Sequence, residues 1–352
     1  MAVKQQMRRS LIGIFMTAGL SLVLVACNQS NNVQSGAAQQ KDVEITLVGY
    51  AVPKAAHNKI IKKFAAKWQQ EHNQKVIFKQ TYGGSGAQTR AVIDGLPADV
   101  VHLALGNDIN KLAKAKLVDP NWDQKLPNQG IVAQSVVAMI THKGNPKQIK
   151  SFADLTRTDV KWVTANPKTS GGARWNFLAL WNQGIKAGKR EAKAIEFTTA
   201  AARNIIAQPK DAREAMDAFI KQGQGDALLN YENEIIFANQ KGQSLEYIVP
   251  DLNISIDTPV AIVDRNVDKH GNREVVEAFV KYLFEPEAQA EFVKVGYRPM
   301  DKSITDARFS RLSGLGSVSE YGGWNKFQKK FFGDGAIYDQ IQAGKNPSSK
   351  IK

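Results

Sequence analysis

The chain has 352 residues, of which 43% are hydrophobic and 23% charged, with 27 Gly and 12 Pro. That composition describes a globular protein large enough for two domains with their own cores, and it excludes collagen-like, disordered and multi-span membrane classes. Lys and Arg outnumber Asp and Glu by 47 to 33, a formal charge of +14, which suits nucleic acid, an anionic surface or an anionic ligand without choosing among them.

Lys4, Arg8 and Arg9 precede 16 uncharged residues, Leu11 to Ala26, and then Cys27, the only cysteine. A positive start followed by an apolar run is the pattern of a secretory signal, and the run falls short of the roughly 20 residues that span a bilayer. Leu24-Val25-Ala26-Cys27 resembles the bacterial lipobox, in which the cysteine is lipidated and becomes the first residue of the mature chain. Residues 1–26 therefore read as a cleaved signal peptide, and 27–41, rich in Asn, Gln, Ser, Gly and Ala, as a lipidated flexible tether. Cleavage removes three positive charges, +14 − 3 = +11, and a lone cysteine leaves no internal disulfide to hold the fold.

From Asp42 onward, β-rich runs alternate with amphipathic stretches, the α/β pattern. Val43 to Gly49 reads as a strand, Lys54 to His72 as a helix burying Ile60, Ile61, Phe64, Ala65 and Trp68, and Val76 to Gln80 as a second strand. The turn Gly83-Gly84-Ser85-Gly86 leads into a helix from Ala87 to Asp94, and Val100 to Leu105 is an apolar strand of the buried parallel kind. A second set follows, with strands at Val132 to Thr141, Lys161 to Ala165, Asp226 to Asn230 and Leu245 to Val249, and helices at Arg174 to Ile185 and Ala212 to Lys221. Thr258 to Val263 reads as a strand returning to the first unit, followed by helices near Arg273 to Phe284 and Pro286 to Val295. Two α/β units joined by crossing strands leave a cleft where strand-to-helix turns gather. The expected boundaries are 42–128 for the first part of lobe 1, 129–256 for lobe 2, and 257–352 for the return to lobe 1 and the C-terminal helices.

Trp324, Phe327, Phe331 and Phe332 alternate with Lys326, Lys329 and Lys330. Such interleaving can mark a nucleic-acid stacking surface, but the spacing gathers the aromatics on one helical face and reads as core packing. The five histidines stand far apart, with no H-E-x-x-H and no second cysteine, so no metal site is predicted. Gly83-Gly84-Ser85-Gly86-Ala87 lacks the glycine two places after the serine that a nucleophile elbow requires, and no phosphate-binding loop with G-K-[ST] is present. No catalytic residue and no cofactor are predicted.

Three turns of small residues each open a helix: Ser85-Gly86-Ala87-Gln88, Thr169-Ser170-Gly171-Gly172 and Asp211-Ala212-Arg213-Glu214. The first and third carry capping-box spacing. A helix start offers unpaired N–H groups and the positive end of the dipole, so it attracts anions without a formal charge. Each turn taken alone reads as an ordinary helix cap.

Tyr82-Gly-Gly-Ser-Gly-Ala-Gln-Thr-Arg90, Gly95-Leu-Pro-Ala-Asp-Val-Val101, Lys143-Gly-Asn-Pro-Lys147 and Asn166-Pro-Lys-Thr-Ser-Gly-Gly-Ala-Arg-Trp-Asn176 closely resemble segments of the bacterial periplasmic sulfate-binding proteins. Tyr231-Glu-Asn-Glu234 and Tyr297-Arg-Pro299 fit the same family, and the resemblance runs from about Asp42 to near Ile341. It implies an α/β, two-lobed type II periplasmic-binding-protein fold with a ligand cleft between lobes. It further implies a non-enzymatic, monomeric receptor that closes on one sulfate ion and hands it to the membrane permease of an ABC transporter, without nucleic acid, held at the membrane through Cys27. Its place would be the periplasm or the outer face of the cytoplasmic membrane. By the same resemblance, sulfate is bound by the backbone at Ala51, Ser85, Gly171, Gly172 and Ala212, by the Ser170 hydroxyl and by Tyr231, with Arg174 and Arg213 bracing the loops. Tyr231 stands where the family has a tryptophan and Ala51 where it has an aspartate. Thiosulfate, phosphate or molybdate is the alternative ligand, and a secreted hydrolase of phosphate or sulfate esters the alternative of another class.

Overall fold

A computed structural model describes residues 41–300 and 306–344. The signal peptide and Cys27 lie outside the described residues, as does all of the tether but Lys41. In chain order the first elements are β1 (Val43–Tyr50), α1 (Lys54–His72), β2 (Val76–Gly83), α2 (Ser85–Ile93), β3 (Val100–His102), α3 (Gly106–Lys114) and β4 (Ile131–Ser135). They are followed by β5 (Val137–Thr141), β6 (Trp162–Val163), α4 (Gly171–Gly188), α5 (Glu191–Ala202), β7 (Ile205–Ala207), α6 (Ala212–Ile220), β8 (Ala227–Tyr231), α7 (Glu232–Gln240) and β9 (Glu246–Ile248). The chain continues with β10 (Leu252–Ile254), β11 (Ile256–Ile262), α8 (Asp264–His270), α9 (Arg273–Tyr282), α10 (Pro286–Lys294), β12 (Gly314–Gly316), α11 (Gly323–Phe331) and α12 (Ile337–Gln342).

Two five-stranded sheets result, one in the order β2-β1-β3-β11-β4 and one in the order β7-β6-β8-β5-β9. Each is the floor of one lobe. In the first, β1 runs parallel to β2 and β3, and β11 is antiparallel to β3 and β4. Val100 and Val101 of β3 are fully buried, as expected for a central strand covered on both faces. Helix α1 buries Ile60, Ile61, Phe64 and Trp68, the face its 3.6-residue periodicity marks, and Ala65 beside them is partly buried.

The extended run from Val132 to Thr141 departs from the sequence reading, which makes it one strand of the second lobe. It breaks at Val136: β4 pairs with β11 in the first sheet, while β5 pairs with β8 and β9 in the second. Nothing local marks the exchange, because an apolar extended segment can pair in either sheet and the neighbours decide. The buried side chain of Asn253 laces this crossing to the one that returns through β10 and β11, accepting from the Val137 N–H at 3.1 Å and donating to the Val137 carbonyl at 2.8 Å. Helices α3, α5, α7 and α8 are further elements the sequence reading does not anticipate, and the third strand ends at His102 rather than Leu105.

Among the described residues no helix is long and apolar enough to cross a membrane, and no group of three or more His, Cys, Asp and Glu is placed to hold a metal ion. Phe327 and Phe331 of α11 are buried, with Phe331 against Phe177 and Trp181 of α4. The C-terminal aromatics thus serve the core, and Lys326, Lys329 and Lys330 are exposed.

Candidate functional site

The carboxyl ends of β1 and β2 face the starts of α4 and α6 and the end of β8 around one small cavity. Its wall is made by Tyr50, Ala51, Val52, Gly83, Gly84 and Ser85 from the first lobe, and by Ser170, Gly171, Gly172, Asp211, Ala212 and Tyr231 from the second. The structure therefore brings together all seven residues expected at the site: Ala51, Ser85, Ser170, Gly171, Gly172, Ala212 and Tyr231. The centre of a water-sized sphere can occupy about 10 Å³ of it, so the hollow is roughly 2.7 Å in radius once the 1.4 Å of the sphere is added. One small polyatomic ion fits such a space.

Each helix start contributes amides that its own helix cannot use. In α2 the Gly86 N–H crosses between lobes to the Thr169 carbonyl at 3.1 Å, which leaves Gly84, Ser85 and Ala87 without intrahelical partners. In α4, whose N-cap Ser170 makes no side-chain cap bond, the amides of Gly171, Gly172 and Ala173 are left. In α6 the N-cap Asp211 accepts from the Arg213 and Glu214 N–H groups, so its carboxylate is committed to its own helix and the Ala212 amide is the one remaining. Three dipole ends meet at the cavity, and no Lys, Arg or His side chain lines it. Partial charges spread over amides can balance an enclosed anion without stranding a full charge in a dry cleft.

Two glycines are required by close approach. A side chain at Gly84 would start 2.6 Å from the Thr169 carbonyl oxygen of the opposite lobe, and one at Gly172 would start 2.6 Å from the Tyr231 ring. Tyr231 is 1% exposed, and its hydroxyl has no hydrogen-bond partner among the described residues. Burial first, then the neighbouring Tyr50 phenol and the Glu234 and Asp108 carboxylates, hold its pKa well above the ordinary value. The group stays protonated and is free to donate into the cavity.

Ser85 departs from the sequence reading. Gly84 is the N-cap of α2 and Ser85 its first helical residue, so the capping box does not form. Instead its hydroxyl donates to Asp108 Oδ2 at 2.8 Å and accepts from the Ala104 N–H at 3.1 Å. Ser85 can therefore serve an anion through its amide, while its hydroxyl proton is taken. Burial alone would raise the Asp108 pKa, but the charges of Arg174 and Lys111 and the hydrogen bonds from Lys111 and Ser85 outweigh it and hold the carboxyl below its ordinary value.

Neither arginine reaches the cavity wall. Arg174 donates through Nε to the Pro167 carbonyl at 2.8 Å, lies 3.6 Å from Asp108 Oδ1 and stacks over Phe332. It holds the loop that presents Ser170 and Gly171. Arg213 makes a two-pronged pair with Glu234 at 2.7 and 2.8 Å, tying the start of α6 to that of α7, which follows Tyr231. The 260 Å³ groove along Trp122, Leu126 and Arg273 shares no residue with this site.

The profile of the bacterial extracellular solute-binding proteins matches residues 47–298. The chain belongs to this family. It is 52% identical to the sulfate-binding protein of Synechococcus elongatus over 95% of this chain and 97% of that one, and 34% identical to the thiosulfate-binding protein of Pseudomonas aeruginosa over 84% and 90%. Among solved structures, the sulfate-binding protein SubI of Mycobacterium tuberculosis superposes with a TM-score of 0.75 at 32% identity, covering 83% of this chain and all of that one. In this solute-binding protein the cavity residues that sequence reasoning misses are Tyr50, Val52, Gly83, Gly84 and Asp211. All adjoin residues it finds: Gly83, Gly84 and Asp211 stand in the turns it names without being assigned a contact, extending Ala51 back to the end of its strand would have included Tyr50, and Val52 follows Ala51 directly. Tyr50 is the most consequential: its hydroxyl lies 2.8 Å from that of Tyr297, and its ring centroid is 6.0 Å from that of Tyr231.

Proposed function

We propose that this protein is an exported receptor for sulfate, closing its two lobes around one ion and delivering it to the permease of an ABC transporter. The observation that carries the reading is the cavity itself: three helix starts and the Tyr231 hydroxyl converge on a hollow the size of a single oxyanion, with no charged side chain of opposite sign. Such a site is rich in donors. Sulfate at neutral pH carries no proton and is satisfied by donors alone, whereas monohydrogen phosphate also needs an acceptor for its O–H, and leaving that group unpaired costs about 1–3 kcal/mol. The relatedness to sulfate-binding proteins supports the same ligand. The backbone at Ala51, Ser85, Gly171, Gly172 and Ala212, with the hydroxyls of Ser170 and Tyr231, forms the proposed set of contacts. Leader and lipobox support export and attachment through Cys27.

Thiosulfate is the second reading, because the Tyr231 phenol can accept as well as donate and relaxes a donor-only site. Ester hydrolysis finds less support: the wall holds two serines but no histidine, lysine or cysteine to activate one.

Titration calorimetry of the purified protein with sulfate, thiosulfate, phosphate and molybdate tests the proposal. Sulfate binds most tightly, Ser170→Ala weakens it by the loss of one donor, and Gly171→Asp abolishes it. At Gly171 a side chain would meet Ala104 Cβ at 2.5 Å and Ser85 Cβ at 3.3 Å, and the aspartate adds a negative charge. Normal sulfate binding by Gly171→Asp would remove the site from this cavity.

A further inference from the structure

The C-terminal segment packs mainly on the second lobe. Phe331 lies against Trp181 with ring centroids 4.8 Å apart, Lys330 pairs with Glu191 at 2.5 Å, Asp339 with Lys168 at 2.7 Å, and the Tyr338 hydroxyl accepts from Gln208 at 3.1 Å. One face of α11 also reaches the first lobe at α3. There Gln328 Oε1 accepts from Asn107 Nδ2 and from Arg174 Nη1, both at 3.2 Å. Asn107 belongs to the first turn of α3 and Arg174 to the first turn of α4, so one amide oxygen bonds to each lobe beside the cavity. Asn107 and Arg174 are 4% and 5% exposed.

One turn earlier, Trp324 sits where a side chain at Gly106 of the first lobe would lie 2.8 Å from its indole nitrogen. It also meets Trp175 edge-on at 4.9 Å, and the Trp175 indole donates across the cleft to the Ala104 carbonyl at 2.9 Å.

We infer that Gln328 is a ligand-retention residue, whose side-chain oxygen bridges Asn107 and Arg174 in the closed form and so governs how long a bound anion stays rather than which anion enters. An amide oxygen accepts two hydrogen bonds, and here they belong to bodies that part when the cleft opens. Opening leaves the Arg174 bond within the second lobe and breaks the Asn107 bond. Gln328 does not line the cavity, so its effect falls on the closed-to-open equilibrium and not on the ligand contacts. One neutral hydrogen bond of this kind corresponds to about a three- to tenfold change in affinity.

The test rests on the sulfate reading and uses sulfate as the probe, in a cycle of Gln328→Ala, Asn107→Ala and the double variant. Each single variant is expected to weaken sulfate binding about three- to tenfold through faster release, with an unchanged association rate, sulfate-to-phosphate ratio and melting temperature without ligand. The double variant is expected to be no weaker than either single one. Losses that multiply, unchanged affinity, or a lowered melting temperature without ligand in both singles would reduce Gln328 to a packing residue. Failure of the unaltered protein to bind sulfate would instead overturn the ligand assignment, so the two failures are distinct.

Discussion

A phenol at position 231 gives the cavity a group that can donate or accept, where an indole would only donate. Because the structure keeps this hydroxyl buried, protonated and without a partner among the described residues, removing it takes away a ligand contact and none of the bonds described within the protein. Tyr231→Phe is therefore expected to weaken sulfate binding about tenfold to a hundredfold, the range of a hydrogen bond to a charged group, with little change in melting temperature without ligand. Tyr231→Trp restores a donor and removes the acceptor, so it is expected to raise the sulfate-to-phosphate preference. Calorimetric titration of both ions against the two variants decides the matter, and equal affinities for Phe and Tyr would show that the hydroxyl does not touch the ion. Ser85 illustrates what a residue type leaves open: its hydroxyl suits a cap or a ligand equally, and only the approach of Asp108, 23 residues away, commits it.

At the scale of elements, the helix starts carry the argument. The N-cap of α6 is a carboxylate that accepts from two amides at 2.9 and 3.0 Å, leaving the Ala212 N–H to face the cavity. Asp211→Ala is expected to cost about 1 kcal/mol of stability, as N-cap removals do, and to weaken anion binding further by loosening the first turn. Urea denaturation with and without sulfate separates the two effects, and a variant with unaltered sulfate affinity would mean that the cap does not orient Ala212. The α6 cap was legible in the sequence because Asp followed by an apolar helical face is a local pattern. The same logic misplaced the N-cap of α2 by one position, since Gly84 and Ser85 both suit an N-cap locally and a long-range hydrogen bond selects between them. Helices α5 and α7 escaped notice because their faces are defined by neighbours rather than by a clear periodic stripe, whereas α3 does carry such a stripe, with Ile109 and Leu112 buried, and was available to a local reading. Helix α7 opens with Glu232, Asn233 and Glu234 buried beside the crossing at Val136, whose carbonyl accepts from the Glu232 N–H at 2.9 Å.

For the whole molecule, the crossing strands also carry a polar chain. His57 Nε2 lies 2.9 Å from His102 Nδ1, and His102 Nε2 lies 3.1 Å from Thr258 Oγ1 on β11. Two ring nitrogens at that distance share one proton, and a second would face the first. Burial pushes His57 down to about 3, and burial, followed by the His57 charge, pushes His102 well below its ordinary value against the Thr258 hydrogen bond. Both are neutral in the fold and take up protons in the unfolded chain below about pH 6.5. The unfolded state then binds more protons, so stability falls as pH drops from about 6.5 towards about 3. Between about pH 7 and pH 5, above the carboxylate range, urea denaturation is expected to show this loss, with a shallower slope in His57→Gln. An identical slope would exclude the pair as its source.

Patterns of short range were available from the amino-acid order alone. Periodicity located α1 and the first strands, the small residues after them located the turns, and the segment from Asn166 to Asn176 identified the family, because propensity, capping and motif all act within a dozen residues. Three outcomes required the tertiary structure. The run from Val132 to Thr141 exchanges sheets at Val136, the Ser85 hydroxyl turns to Asp108, and α11 lies across both lobes through Gln328. Each depends on a partner distant in sequence, and pairing, hydrogen bonding and burial are settled by which surfaces meet once the two lobes close.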